Sequence, residues 1–165
     1  MAGSDTTVVF SGIDESIVWS DYGGVHTLTV PIVKGQMSWT VENPPKAEMM
    51  PRGQHHSTPT VRKTGDGKVT GSIKIYCSSF VGNSAKTPYE VLTDSASWTT
   101  VGAGDGAMIK QVVTYNATAA GGAQQTVAFN YCTFSNVAVA PEDGLYVISA
   151  DFEDRENKPT VTGVA

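Results

Sequence analysis

Gln36-Met37-Ser38-Trp39-Thr40-Val41-Glu42 alternates without a fault, polar at 36, 38, 40 and 42 and apolar at 37, 39 and 41. A period of two is the pattern of a half-buried strand, and one face of this strand carries no hydrophobe. Just before it, Leu28, Val30 and Ile32 fall on one side of the chain, with Thr27 and Thr29 on the other. Lys34-Gly35 lies between the two runs and predicts a tight turn, which makes Val25–Asn43 a hairpin with one polar face. Pro31 has no N–H to give a ladder, so its strand bends or lies at an edge there.

Outward from this segment, Pro44–Pro59 holds four of the eight prolines and reads as a long, irregular, projecting loop. Met49, Met50, Arg52, His55 and His56 lie on it and are the candidate contacts to a neighbouring subunit, since methionine adapts to irregular surfaces. Thr60–Lys63 resumes as a strand, Gly65-Asp66-Gly67 predicts a hairpin turn, and Val69, Ile73, Ile75 and Cys77 continue on one face. Thr87-Pro88-Tyr89-Glu90 predicts a helix over Pro88–Ala96, with a capping threonine, proline at the first helical position and a returning glutamate. Met108–Asn116, a Gly121-Gly122 turn, Gln125–Phe134, an acidic turn at Glu142-Asp143-Gly144 and Leu145–Asp154 complete a run of strands at hairpin spacing. The expectation is a mainly β fold, an antiparallel sandwich or barrel with one short flanking helix. It divides into an N-terminal arm (1–24, with a short strand candidate at Thr6–Phe10), a β domain (25–154) and a C-terminal arm (155–165).

Composition agrees with strands. Apolar residues make up 40% of the chain and charged residues 16%, against roughly 25% charged in an ordinary domain. Thr, Ser, Gly and Val fill the gap, and a weakly charged polar surface suits contact with other protein. The net charge of −5 is unevenly placed. Residues 34–86 carry eight of the eleven bases against three acids, and the segments on either side are net acidic. Arg62, Lys63 and Lys68 on one side, with Asp151, Glu153 and Asp154 on the other, are candidates for complementary faces that meet between subunits. The N-terminal sequence lacks the basic and apolar regions of a signal peptide. No stretch approaches the roughly 18 apolar residues of a membrane helix. Cys77 and Cys132 read as buried thiols of a reducing compartment.

Motifs for chemistry fail on context. Gly102-Ala103-Gly104-Asp105-Gly106-Ala107 fits a loose dinucleotide fingerprint, but it leads into a strand and puts Asp105 where a phosphate would sit. Gly67-Lys68 lacks the rest of a phosphate-binding loop. His55-His56 has no partner at ligand spacing, so no metal or other cofactor is expected. Asp151 and Glu153 share a strand face, yet no aromatic cleft accompanies them. No Gly-x-Ser-x-Gly elbow carries a nucleophile. The bases form no stripe for nucleic acid. The sequence predicts no enzyme.

The elements resemble those of the tail tube proteins of long-tailed phages, over roughly Val25–Asp154. The resemblance rests on Trp39–Glu42 leading into the loop, on Arg62-Lys63-Thr64-Gly65-Asp66-Gly67-Lys68-Val69-Thr70-Gly71-Ser72, on Pro88–Ala96, and on Phe129-Asn130-Tyr131-Cys132 before Glu142-Asp143-Gly144-Leu145-Tyr146. It implies a β-sandwich that forms six-membered rings, joins its sheets into an inner barrel and stacks into a hollow tube through which DNA passes without specific binding. Gln36, Ser38, Thr40 and Glu42, with Thr27 and Thr29, then become candidate lumen residues. The implied partners are further copies of the chain, with tape measure, tail terminator and tail tip proteins. The implied place is the virion, assembled in the bacterial host cytoplasm, with no membrane contact. The alternatives are a type VI secretion-like tube subunit and a β-sandwich binding or capsid-decoration module, the last of which would need an exposed aromatic platform.

Overall fold

The computed structural model describes residues 16–49, 60–63, 67–77, 79–80, 87–93, 108–116, 124–156 and 158–163. Among them run ten strands and one helix: β1 (Ser16–Asp21), β2 (Thr27–Val30), β3 (Ile32–Glu42), β4 (Lys46–Met49), β5 (Thr60–Lys63), β6 (Lys68–Tyr76), α1 (Pro88–Leu92), β7 (Ile109–Asn116), β8 (Gln124–Glu142), β9 (Leu145–Asp154) and β10 (Thr160–Thr162). The fold is mainly β, antiparallel throughout, with one short helix, as the alternation implied. The main sheet follows the order β2-β1-β7-β8-β9-β6-β3, with β10 on β8 beside β9, and does not close on itself.

This sheet is folded over. Trp39 on β3 meets the rings of Phe129 on β8 at 5.6 Å and Tyr115 on β7 at 5.9 Å, although three and four strand spacings of about 4.8 Å would separate those strands in a flat sheet. Trp19 on β1 meets Phe134 on β8 at 5.1 Å. Between the two halves lies one core that includes Ile17, Trp19, Val69, Ile75, Val113, Phe129, Ile148 and Phe152. The inward side chains of each strand recur at every second position, which is why the sequence alternates. Gly71 leaves room for the Phe152 ring: a Cβ there would stand 2.5 Å from Phe152 Cζ and 2.3 Å from the Ser38 carbonyl oxygen.

Two strands carry the chain from one half to the other. The long β8 pairs with β7 through residues 124–132 and with β9 through 132–142. The second crossing is at Pro31, between β2, which pairs with β1, and β3, which pairs with β6. Val25–Asn43 is therefore no hairpin. The chain stays extended through 34–35, and the register shifts between Ile32 and Met37 instead. An inward set at 28, 30 and 32 can become an inward set at 37 and 39 only if the pairing shifts, and a bulge does that without reversing the strand.

Other boundaries moved as well. Ser16–Asp21, assigned to the N-terminal arm by sequence, is a strand inside the sheet between β2 and β7. Part of the loop at Pro44–Pro59 is the strand β4, which pairs with β5 from Lys46↔Lys63 to Met49↔Thr60. Thr60–Lys63 is a strand as expected, but its partner is β4, not β6. Since Glu42 pairs with Lys68, β4 and β5 prolong the β3–β6 hairpin as a ribbon with almost unchanged register. The tail is tied down in part: Thr160–Thr162 pairs with residues 126–128 of β8. Helix α1 has the predicted capping box, with Glu90 N donating to Thr87 Oγ1 and Thr87 N to Glu90 Oε2. It ends at Leu92 with Thr93 as C-cap. The Asp143-Gly144 turn is as read, both residues having positive φ (49° and 79°), the conformation a two-residue hairpin of right-twisted strands favours. The expectations at Thr6–Phe10, Gly65-Asp66, Ala96, 102–107 and Gly121-Gly122 lie outside the described residues.

Candidate functional site

The polar side of β3 continues across three more strands. Ser38 pairs with Ser72, Ser72 with Asp151 and Asp151 with Ser135; the next row runs Thr40, Thr70, Glu153, Thr133. Gln36, Ser38, Thr40 and Glu42 are all exposed, and Met37 and Trp39 pack on the core, but Val41, expected on the same inward side, is exposed near the strand end beyond the core. Ser38 and Ser72 hydroxyls lie 3.2 Å apart. A shallow hollow of about 390 Å³ opens on this face over Ser38, Thr40, Thr70, Ser72, Asp151 and Glu153.

Its charges are mostly settled within the subunit. Lys68 Nζ stands 2.9 Å from Glu153 Oε2, and Lys74 Nζ 2.6 Å from Glu142 Oε1. The carboxylate of Glu153 raises the Lys68 pKa above its ordinary value, first by hydrogen bonding and then by charge, with a smaller contribution from Glu42. Asp151 Oδ2 accepts from Asn136 Nδ2 at 2.8 Å. Asn136 itself has φ of 53°, at the register shift between Ser135 and Ala138; asparagine tolerates that conformation better than most residues. The face thus carries four acids (Glu42, Glu142, Asp151, Glu153) and two lysines, each lysine paired.

Two strand edges frame it. Among the described residues β3 pairs only with β6, and residues 133–142 of β8 pair only with β9. Each therefore offers N–H and C=O groups to a further strand, with the row on β8 interrupted at the Ser135–Ala138 irregularity and at Pro141, which has no N–H.

The other candidates are scattered. Thr27 and Thr29 are exposed, but β2 stands at the opposite end of the strand order from β3, so they do not join this face. Lys68 and Glu153, assigned to opposing faces of two subunits, pair with each other. Asp154 is no rim residue: it is 2% exposed, and its Oδ1 accepts from Tyr131 N at 3.1 Å and Glu156 N at 3.3 Å. Burial raises its pKa, against the lowering effect of those two N–H groups. Burial likewise pushes the Cys132 thiol well up, with the neighbouring Asp154 adding to it. Cys132 is buried as read; Cys77 follows β6, is half-buried, and both thiols are free. Met50, Arg52, His55 and His56, and the side chains of Met49, Arg62 and Lys63, lie outside the described residues.

Sequence reasoning missed a second surface feature. Tyr22, in the β1–β2 turn, and Tyr131, on β8, are exposed and face each other with ring centroids 6.1 Å apart. They border a groove of about 580 Å³. Among the described residues no three His, Cys, Asp or Glu side chains group as metal ligands, and no helix is long and apolar enough to cross a membrane. No protein-family model matches the chain, and no curated protein matches it.

Proposed function

We propose that the chain is a structural subunit that joins copies of itself edge to edge into rings, which stack into a hollow tube of the phage-tail kind for the passage of DNA. The observation that carries this reading is the hydroxyl- and carboxylate-rich part of the face of β3, β6, β9 and β8. It extends from the Thr40–Thr70–Glu153–Thr133 row to Lys74 and Ser149, beyond which Tyr76, Val147, Ala138 and Ala140 make the face apolar. Among the described residues two open edges of similar length frame it. Strands alternate in direction across this half, so β3 of one copy laid against residues 133–142 of the next continues an antiparallel sheet. That contact is head to tail, and it gives a ring when the rotation closes.

With the polar face inward, hydroxyl groups line the bore and stay wet, and the surplus of carboxylates keeps phosphates from adhering. Six copies of four strands make 24, more than the 16–18 that already leave an aqueous channel in a barrel. The β4–β5 ribbon fits the same reading. A two-stranded hairpin is marginal in water by itself, and a neighbouring ring would give it something to pack on. Tape measure, terminator and tip proteins are the partners such a tube requires, the virion is its place, and no catalytic step belongs to it.

Electron microscopy of the concentrated protein tests the reading, with rings or tubes having a central bore as the expected result. Cysteines at positions 38 and 40 then test the orientation. They should react with small and bulky maleimides in the dispersed subunit, and only with small ones in tubes. A protein that stays monomeric at high concentration, or tubes labelled equally by both reagents, would overturn the proposal or its orientation respectively.

A further inference from the structure

The groove beside Tyr22 and Tyr131 is built around an irregularity in the sheet. Ile109 pairs with Cys132 and Gln111 with Phe129, so Asn130 and Tyr131 together stand opposite Lys110. This is a bulge, a device that re-aims a side chain at the cost of ladder hydrogen bonds. The cost is met by specific partners. Tyr131 N donates to the buried Asp154 carboxylate, and Tyr131 O accepts from Arg155 N at 3.2 Å. Tyr131 is thereby turned out of the core, between Phe129 and Cys132, which are both fully buried.

Beside Tyr131, the turn that carries Tyr22 is fixed just as firmly. Asp21, with its side chain fully buried, accepts from Val25 N and His26 N through Oδ1, and its Oδ2 lies 2.8 Å from His26 Nδ1. Two exposed tyrosines are thus held side by side on rigid supports. Beside the pair the groove is lined by Ser20, Asp21, Thr27, Lys110 and Asn130, whose Nδ2 already donates to Glu156 Oε2 at 2.9 Å. Lys110 is exposed and makes no ion pair among the described residues.

We infer that this groove binds a short acidic saccharide. The C–H faces of sugar rings stack on Tyr22 and Tyr131, since an aromatic ring offers an apolar surface and a polar rim together. A uronic carboxylate meets Lys110, and sugar hydroxyls exchange hydrogen bonds with Ser20 and Thr27 and donate to Asn130 Oδ1. A shallow, preformed groove of a few hundred cubic ångströms with few convergent polar groups suits a small ligand, and rigid aromatic walls keep the ordering cost of binding low. The inference is independent of tube formation, because the site lies within one subunit.

Titration of the dispersed protein with trigalacturonate and with neutral cellotriose, by calorimetry or saturation-transfer NMR, tests it. Trigalacturonate is expected to bind saturably and at least tenfold more tightly than cellotriose. Tyr131→Ala and Tyr22→Ala should each weaken both sugars at least tenfold. Lys110→Gln should erase the preference for the acid, bringing the two affinities within about twofold of each other. If Tyr131→Ala fails to fold, Tyr22→Ala in the turn gives the same reading. No saturable binding of trigalacturonate, undiminished binding in the tyrosine variants, or a preference that survives Lys110→Gln would each overturn the assignment.

Discussion

Asp154 is buried at the end of β9, and its carboxylate accepts from Tyr131 N and Glu156 N. In Asp151–Glu156 it looks like one more member of an acidic rim. Alternation along β9 says otherwise, because Ala150, Phe152 and Asp154 share the inward side while Asp151 and Glu153 point out. Its carboxylate holds two backbone N–H groups, yet burial raises its pKa, so the charged form is disfavoured in the fold relative to the unfolded chain. The contribution of this group to stability is therefore fully present below the unfolded value near 3.8 and is lost as pH rises through the higher folded value. Asp154→Asn keeps an oxygen for both donors and removes the charge. Its melting temperature should exceed that of the parent at pH 7, with the gap closing towards pH 3. Asp154→Ala strands both donors and should cost about 1–3 kcal/mol by denaturant titration. A parent more stable than the asparagine variant at neutral pH would mean that the charge itself is favourable.

At the level of strands, period-two patterning was enough to find most of the sheet, from Gln36–Glu42 to Leu145–Asp154. It failed where the period breaks. The bulge between Ile32 and Met37 leaves Lys34-Gly35 looking like a turn, and the bulge at Asn130–Tyr131 hides the residue that projects into the groove. Pairing partners were no more visible, since β5 could lie on β4 or β6 with the same local pattern. The polar face was legible on β3 alone; its extension over β6, β9 and β8 depends on register, which is a tertiary property. Open edges can be tested strand by strand. In β8 successive N–H groups point alternately towards β9 and towards the free edge, so prolines at Ala138 and Val139 have different consequences. One of the two variants should stay folded by circular dichroism and fail to form rings in the microscope. If the folded variant assembles normally, this edge carries no neighbouring strand.

For the whole molecule, the crossing at Pro31 has a consequence for the speed of folding. β2 and β3 are neighbours in sequence, yet they terminate opposite ends of the seven-strand path. Neither can find its place until β1 has met β7 and β6 has met β9, pairings that join residues 96 and 77 positions apart (Ile17↔Val113, Ile73↔Ala150). Such closures are slow because chain entropy is lost before contacts repay it. The β8–β9 hairpin is different: its strands are joined by Asp143-Gly144 alone, with both residues already in the conformation the turn needs. It is the natural nucleus. Gly144→Ala strains that turn without touching another residue, since nothing lies within 4 Å of the added methyl group. In stopped-flow refolding it should slow folding and leave unfolding nearly unchanged, a φ-value near 1. An effect confined to unfolding would place nucleation elsewhere. A subunit nucleated there exposes residues 133–142 of β8 before β3 is in position. If copies join edge to edge as proposed, newly made chains would then meet each other by one finished edge while the complementary edge is still forming.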